Sequence, residues 1–209
     1  MIKAVIFDLD DTLCPEIEYV KSGFREIAKS YNDSTLYEKL YSLFLTDRNN
    51  VYQRAGFSED ECKRCIEIYR EHKPDITLSE DAEKTLLCLK KQGKKLGLIT
   101  DGRPHGQWNK IYALGLDKIM DYIVVTDELG GIEFRKPNPR AYELMKEKFG
   151  VEYSEMVYVG DNLSKDFTAP KKLGMSYCYY HNTNGLYAVQ ENEVLDIKKI
   201  NKLSEVINL

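Results

Sequence analysis

Short apolar runs separated by stretches of helical periodicity set the pattern of this chain. Five runs have the length and content of buried strands: residues 2–8, 95–100, 121–126, 156–160 and 176–180. Near-continuous apolar strands belong to parallel sheets covered on both faces, where burial on either side removes the usual alternation. Between them the spacing predicts helices over residues 79–92, 104–114, 139–149 and 163–173. Gly93, Gly115 and Gly174 follow three of these, and Asn138 with Pro139 opens the one over 139–149. The alternation predicts an α/β fold, a doubly wound parallel sheet with helices on both faces.

One interval departs from that rhythm. From about Glu16 to Pro74 apolar positions recur at helical spacing, as in Ile17, Val20, Phe24 and Ile27, then Leu36, Leu40, Leu43 and Phe44. A loop of this length has no place in a compact domain, so a small all-helical domain inserted after the first strand is the economical reading. The expected division is a core of residues 1–15 and 75–209 and a helical domain of residues 16–74.

The polar residues at the strand ends carry the chemistry. Asp8 and Asp10 close the first run, and residues two apart on an extended strand point the same way. Crowded carboxylates repel, raise each other's pKa and call for a cation; one can attack an electrophile while the other moves a proton. The second strand ends in Thr100-Asp101-Gly102 and the fourth in Gly160-Asp161-Asn162, with Asp166 beyond and Lys136 ahead of the helix over 139–149. Ligands of open α/β sheets bind beyond these strand ends. Carboxylates, a hydroxyl, glycine turns and a lysine there describe a site for Mg²⁺ and a phosphoryl group.

Composition narrows the partners. A formal charge of -4 with 31% charged residues leaves no electrostatic footprint for nucleic acid. No run of about 18 apolar residues spans a bilayer and no signal peptide opens the chain, so no membrane partner and a cytoplasmic address are expected. Five cysteines, an odd number, argue against a disulfide framework. Cys62 and Cys65 form a Cys-x-x-Cys inside a helical stretch with no second ligand pair, which reads as core filling ahead of a metal or redox role. Nothing in the sequence sets an oligomeric state.

Four motifs in order, Asp8-x-Asp10-x-Thr12, Thr100, Lys136 before Pro137, and Gly160-Asp161-x-x-x-x-Asp166, resemble those of the haloacid dehalogenase superfamily, of the phosphatase kind with a helical cap after the first strand. The resemblance spans residues 1 to about 180 and implies a Rossmann-like core. It implies Asp8 as nucleophile, forming an aspartyl-phosphate, and Asp10 as the acid and base. It implies Mg²⁺ held by the Asp8 carboxylate, the Asp10 backbone carbonyl and the Asp161 carboxylate. Phosphate contacts from Thr100, the Asp101 and Gly102 backbone and Lys136 also follow, with Asp166 supporting Lys136 or a metal-bound water.

Thr12 is expected to tie its own turn, and Asp11 reads equally as a turn residue. Arg103 and His105 are candidates for touching substrate, although a helix start collects polar residues anyway. Superfamily relatives that displace halide need no proton for the leaving group, so the presence of Asp10 favours phosphate esters. The expected substrate is a small phosphomonoester: a sugar phosphate, an acyl-sugar phosphate or a nucleotide. The insertion is expected to act as a lid hinged near Cys14 to Glu18 and Pro74 to Leu78. A sugar-phosphate mutase with the same intermediate and a non-catalytic binding module are the alternatives.

Overall fold

The computed structural model describes residues 1–183, 185, 186 and 197–209. It divides into two compact units, Met1–Glu16 with Thr77–Leu209, and Ile17–Ile76. The first holds a six-stranded sheet of β1 (Ala4–Phe7), β2 (Lys95–Thr100), β3 (Tyr122–Val125), β4 (Met156–Gly160), β5 (Ser176–Tyr180) and β6 (Lys198–Ile200). All neighbours are parallel, in the order β3-β2-β1-β4-β5-β6. The chain winds outward from β1 in one direction through β3, returns to β4 on the other side of β1, and winds outward again. That reversal creates a crevice at the carboxyl ends of β1 and β4.

Helices α1 (Glu16–Ser30), α2 (Leu36–Thr46), α3 (Val51–Arg54) and α4 (Glu59–Glu71) build the second unit. Helices α5 (Glu80–Lys91), α6 (Pro104–Ala113), α7 (Leu116–Ile119), α8 (Arg140–Phe149) and α9 (Thr168–Leu173) flank the sheet. The sheet is buried on both faces, which is why its sequence reads as apolar runs. Ala4, Ile6, Met156 and Tyr158 pack with Ala141, Tyr142 and Met145 of α8. The intervening Val5, Phe7, Val157 and Val159, which alternate to the opposite face, are equally buried. Each such apolar side chain contributes about 1.5–3 kcal/mol by leaving water. The doubly wound α/β architecture read from the sequence is the one observed.

The helical unit has a core of its own. Val20, Phe24 and Ile27 of α1 meet Leu36 and Leu40 of α2 and Cys65 of α4. Ser58 caps α4 with Glu61 in a reciprocal capping box, satisfying two orphan donors. Cys62 and Cys65 are buried in this unit, and all five cysteines are unbridged. No helix among the described residues is long and apolar enough to cross a membrane.

Two elements differ from expectation. The helix expected from residue 163 starts only at Thr168. Asn162 Oδ1 accepts from Ser164 N and Oγ, and Asp166 Oδ2 accepts from Asn162 N. These bonds favour a turn over the first helical coil. The second is β6, a sheet-edge strand absent from the sequence reading. Lys198 and Lys199 are exposed, as their charge suggests, while Ile200 alone is buried.

Candidate active site

β1 delivers the first carboxylates. Asp8 N donates to Val159 O at 2.9 Å, which carries the parallel pairing of β1 with β4 one residue past the strand. The chain then turns tightly, with Leu13 N and Cys14 N both donating to Leu9 O and with Asp11 in the left-handed region at φ 56°. Asp11 is held there by its own side chain, which accepts from Glu16 N at 2.8 Å and Leu186 N at 2.7 Å. The Thr12 hydroxyl does not tie this turn. It donates to Asp161 Oδ1 at 3.0 Å and so links the ends of β1 and β4.

At the centre lies Lys136, its side chain fully buried. Its ammonium donates to Asp8 Oδ1 at 2.7 Å, Asp166 Oδ1 at 2.9 Å and the Tyr158 hydroxyl at 2.9 Å. Three donors meet three acceptors. Burial opposes the charge on Lys136, but Asp166, Asp8 and Asp101 outweigh it and hold the lysine well above its ordinary range. Burial likewise opposes ionisation of Asp8, and Lys136 with Lys165 overcomes it, leaving Asp8 below the usual carboxylate range. An ionised Asp8 is the form that can act as a nucleophile. Asp166, wholly buried, is raised by that burial despite its lysine partner.

Asp161 stands opposite. Carboxylate oxygens of Asp8, Asp161 and Asp166 lie within 4.8 Å of one another. Burial first, then Asp8, Asp166 and Asp11, push Asp161 up to about 8. A carboxylate in this condition calls for positive charge, and an all-oxygen donor set suits a hard divalent cation. Asp166 fits the role of ligand less well. Its Oδ1 already serves Lys136 and Tyr158, and its Oδ2 accepts from Asn162 N.

The third strand end contributes the turn after β2. Thr100 is buried and donates to Gln107 Oε1 at 3.1 Å. Asp101 Oδ1 accepts from Thr126 Oγ1 at 3.0 Å and Lys136 N at 3.1 Å, which binds this turn to the lysine segment. Gly102 takes φ 135°, and a Cβ there would come within 2.7 Å of Gln107 Nε2. Only glycine fits both demands.

A cavity of about 410 Å³ opens above these residues, and every residue lining it is polar or glycine. Asp8, Asp10, Asp101, Gly102, Lys136 and Asp161 are all on its wall. Thr100 and Asp166 sit behind that wall, and Arg103 and His105 are exposed and do not line it.

The structure adds residues that the sequence reading passed over. Lys165 lines the cavity with Nζ 3.4 Å from Asp101 Oδ2. Glu16 lines it too, pushed up to about 7 by burial and then by Asp10. Gln107 and Lys110 are buried on α6. Two polar residues three apart on the buried side of a helix gave a signal that could have been read.

A family model described as haloacid dehalogenase-like hydrolase matches residues 5–180, and the chain belongs to that family. Over its whole length it is 30% identical to the glyceraldehyde 3-phosphate phosphatase of Methanocaldococcus jannaschii, covering 97% of that protein. It is 28% identical to the glyceraldehyde 3-phosphate phosphatase of Methanothermobacter thermautotrophicus, with 99% of this chain and 98% of that protein aligned. A solved subfamily IA hydrolase of the same superfamily from Geobacter sulfurreducens shares the fold. The TM-score is 0.71 at 20% identity, over 99% of this chain and 95% of that one. Within its family the chain is a phosphatase.

Proposed function

We propose that this phosphatase hydrolyses a small sugar phosphate, of which glyceraldehyde 3-phosphate is the first candidate, through an aspartyl-phosphate on Asp8. The observation that carries the reading is the Lys136 ammonium between Asp8 and Asp166, with the Asp161 carboxylate facing the same point. The names of the full-length relatives support the substrate class. The lining of the cavity by charged and polar residues and glycine supports a small, highly charged ligand.

Asp8 attacks phosphorus, and Asp10 gives a proton to the departing alkoxide. Asp10 then takes a proton from the water that cleaves the acyl phosphate, so that one difficult displacement becomes two easier ones. Lys136 neutralises charge on Asp8 and on the transferring group, and Asp166 holds Lys136 in place. Backbone N–H groups of Asp101 and Gly102 receive the phosphoryl oxygens, and Thr100 completes that turn from behind. Mg²⁺, held by the Asp8 and Asp161 carboxylates and the Asp10 backbone carbonyl, would supply the positive charge that lets a carboxylate meet a phosphate.

The helical insertion, residues 16–74 by the sequence reading, is proposed as a cap that excludes water and selects the leaving group. The work is assigned to the cytoplasm, in keeping with a chain whose described helices include none long and apolar enough to cross a membrane.

The test is phosphate release from a panel of phosphorylated metabolites, with and without Mg²⁺, for the wild type and Asp8→Asn. Steady release from a triose or other sugar phosphate, abolished in the variant, is expected. Isomer formation without free phosphate, or turnover that persists in the variant, would overturn the reading.

A further inference from the structure

Both oxygens of Asp10 are occupied by donors from a single helix. Lys110 Nζ lies 2.6 Å from Oδ1, and Gln107 Nε2 lies 3.2 Å from Oδ2. The two side chains sit three residues apart on α6 and therefore share a face. The Lys110 side chain is only 6% exposed, so its ammonium has lost nearly all contact with solvent while it pairs with Asp10.

The orientation of Gln107 is fixed in turn. Its Oε1 accepts from the Thr100 hydroxyl, and its Nε2 also donates to Asp101 O at 3.0 Å. Turning the amide over would set its oxygen against both the Asp10 carboxylate and the Asp101 carbonyl, so the network admits one assignment. An unbroken chain of hydrogen bonds thus runs from the end of β2 through Gln107 to Asp10.

We propose that Lys110 and Gln107 are positioning residues for proton transfer, holding the Asp10 carboxyl group in one orientation on the wall of the cavity it lines. This rests on the proposed role of Asp10 as acid and base. A carboxylate on a short side chain has two torsions to lose, and a donor on each oxygen removes that freedom before substrate arrives. Lys110 acts through Asp10 and not on the phosphate, so its removal should be felt only where a leaving group needs a proton.

That condition supplies the test. Phosphate transfer from an alkyl ester expels a basic alkoxide, whereas p-nitrophenyl phosphate expels a weakly basic phenolate that leaves unaided. The ratio kcat/KM reports the chemistry through loss of the alcohol, before water is activated. Lys110→Met should lower kcat/KM for glyceraldehyde 3-phosphate by about 10- to 100-fold, less than the ~10²–10⁴-fold of general acid catalysis because Asp10 itself remains, and that for p-nitrophenyl phosphate by less than about threefold. Lys110→Arg should recover part of the loss, and Gln107→Leu should show the same split should Lys110→Met fail to fold. Equal losses on the two esters, or none on either, would overturn the inference.

A wild type that cleaves neither ester would count against the proposed function alone. The pairing is then read without turnover, from the ¹⁵N resonance of the Lys110 ammonium. Slow exchange that Asp10→Asn abolishes supports the inference, and a resonance indifferent to that change sinks it.

Discussion

Lys136 Nζ stands 2.7 Å from Asp8 Oδ1, and neither side chain has more than 4% of its surface in water. The pair cannot borrow solvent to stabilise either charge, so each ion depends on the other, the lysine also on Asp166 and Asp8 also on Lys165. This one contact therefore governs both stability and the state of the nucleophile. Lys136→Met leaves two buried carboxylates without their cation, and breaking a buried pair in this way costs about 3–5 kcal/mol. Asp8→Asn keeps an acceptor for the lysine and should cost less, while abolishing turnover. Urea denaturation of the two variants at neutral pH checks the order; equal stability would show that the pair does not hold the buried charges.

Asp161, pushed up to about 8 by burial and by Asp8, Asp166 and Asp11, calls for a cation. Asp161→Asn should weaken Mg²⁺ binding at least about tenfold, the scale on which even outer-shell groups act. Isothermal titration with Mg²⁺ reads this directly. Chelation with EDTA should stop phosphate release in the wild type, and added Mg²⁺ should restore it.

Glu16 gives the fold a pH dependence of definite sign. In the unfolded chain it ionises near 4.5, but burial, with Asp10 and Asp11 outweighing Lys110 and Lys165, makes it retain its proton up to about 7. The folded state binds the extra proton in that window, so this contribution is complete below 4.5 and is lost as the pH rises to about 7. Glu16→Gln cannot lose it. Relative to the wild type, the variant should gain on the order of 1–3 kcal/mol between pH 4.5 and pH 8. Denaturant midpoints at those two values measure the gain, and parallel pH profiles would contradict the assignment.

Gly160 ends β4 with no room for a side chain. A Cβ there would collide with the Asp166 carboxylate, its Cγ 2.8 Å away, and approach Tyr158 at 3.0 Å. Neither neighbour can retreat, since both are buried and bonded to Lys136. Gly160→Ala should destabilise the protein by about 1–3 kcal/mol, as overpacking does. It should also reduce activity more than a surface change of equal stability cost, because it displaces the group that holds Lys136. Thermal melting and phosphate release measured on the same sample separate the two effects.

The central strands were legible because burial on both faces leaves an unmistakable apolar run. β6 was not, since an edge strand with two exposed lysines owes its pairing to β5 and not to its own side chains. The start of α9 was hidden for a local reason: apolar spacing resumes at Leu163, but Asn162 and Asp166 recruit the backbone donors that a helix would have needed. Thr12 shows the same limit from the other side. Its hydroxyl had a plausible partner in its own turn, and only the adjacency of β1 and β4 offered it Asp161.

By itself the sequence determined the alternation of elements, and with it the sheet whose carboxyl edge must carry Asp8, Asp10, Thr100 and Asp161, because strand period and turn chemistry act over a few residues. Tertiary structure alone decided which charges share a proton or a partner: that Lys136 reaches Asp8 and Asp166 together, that Lys110 and Gln107 close on Asp10, and that Glu16 sits half-buried among acids. Those relations depend on ångström distances and on the exclusion of water between segments far apart in the chain. Neither quantity is written in local pattern.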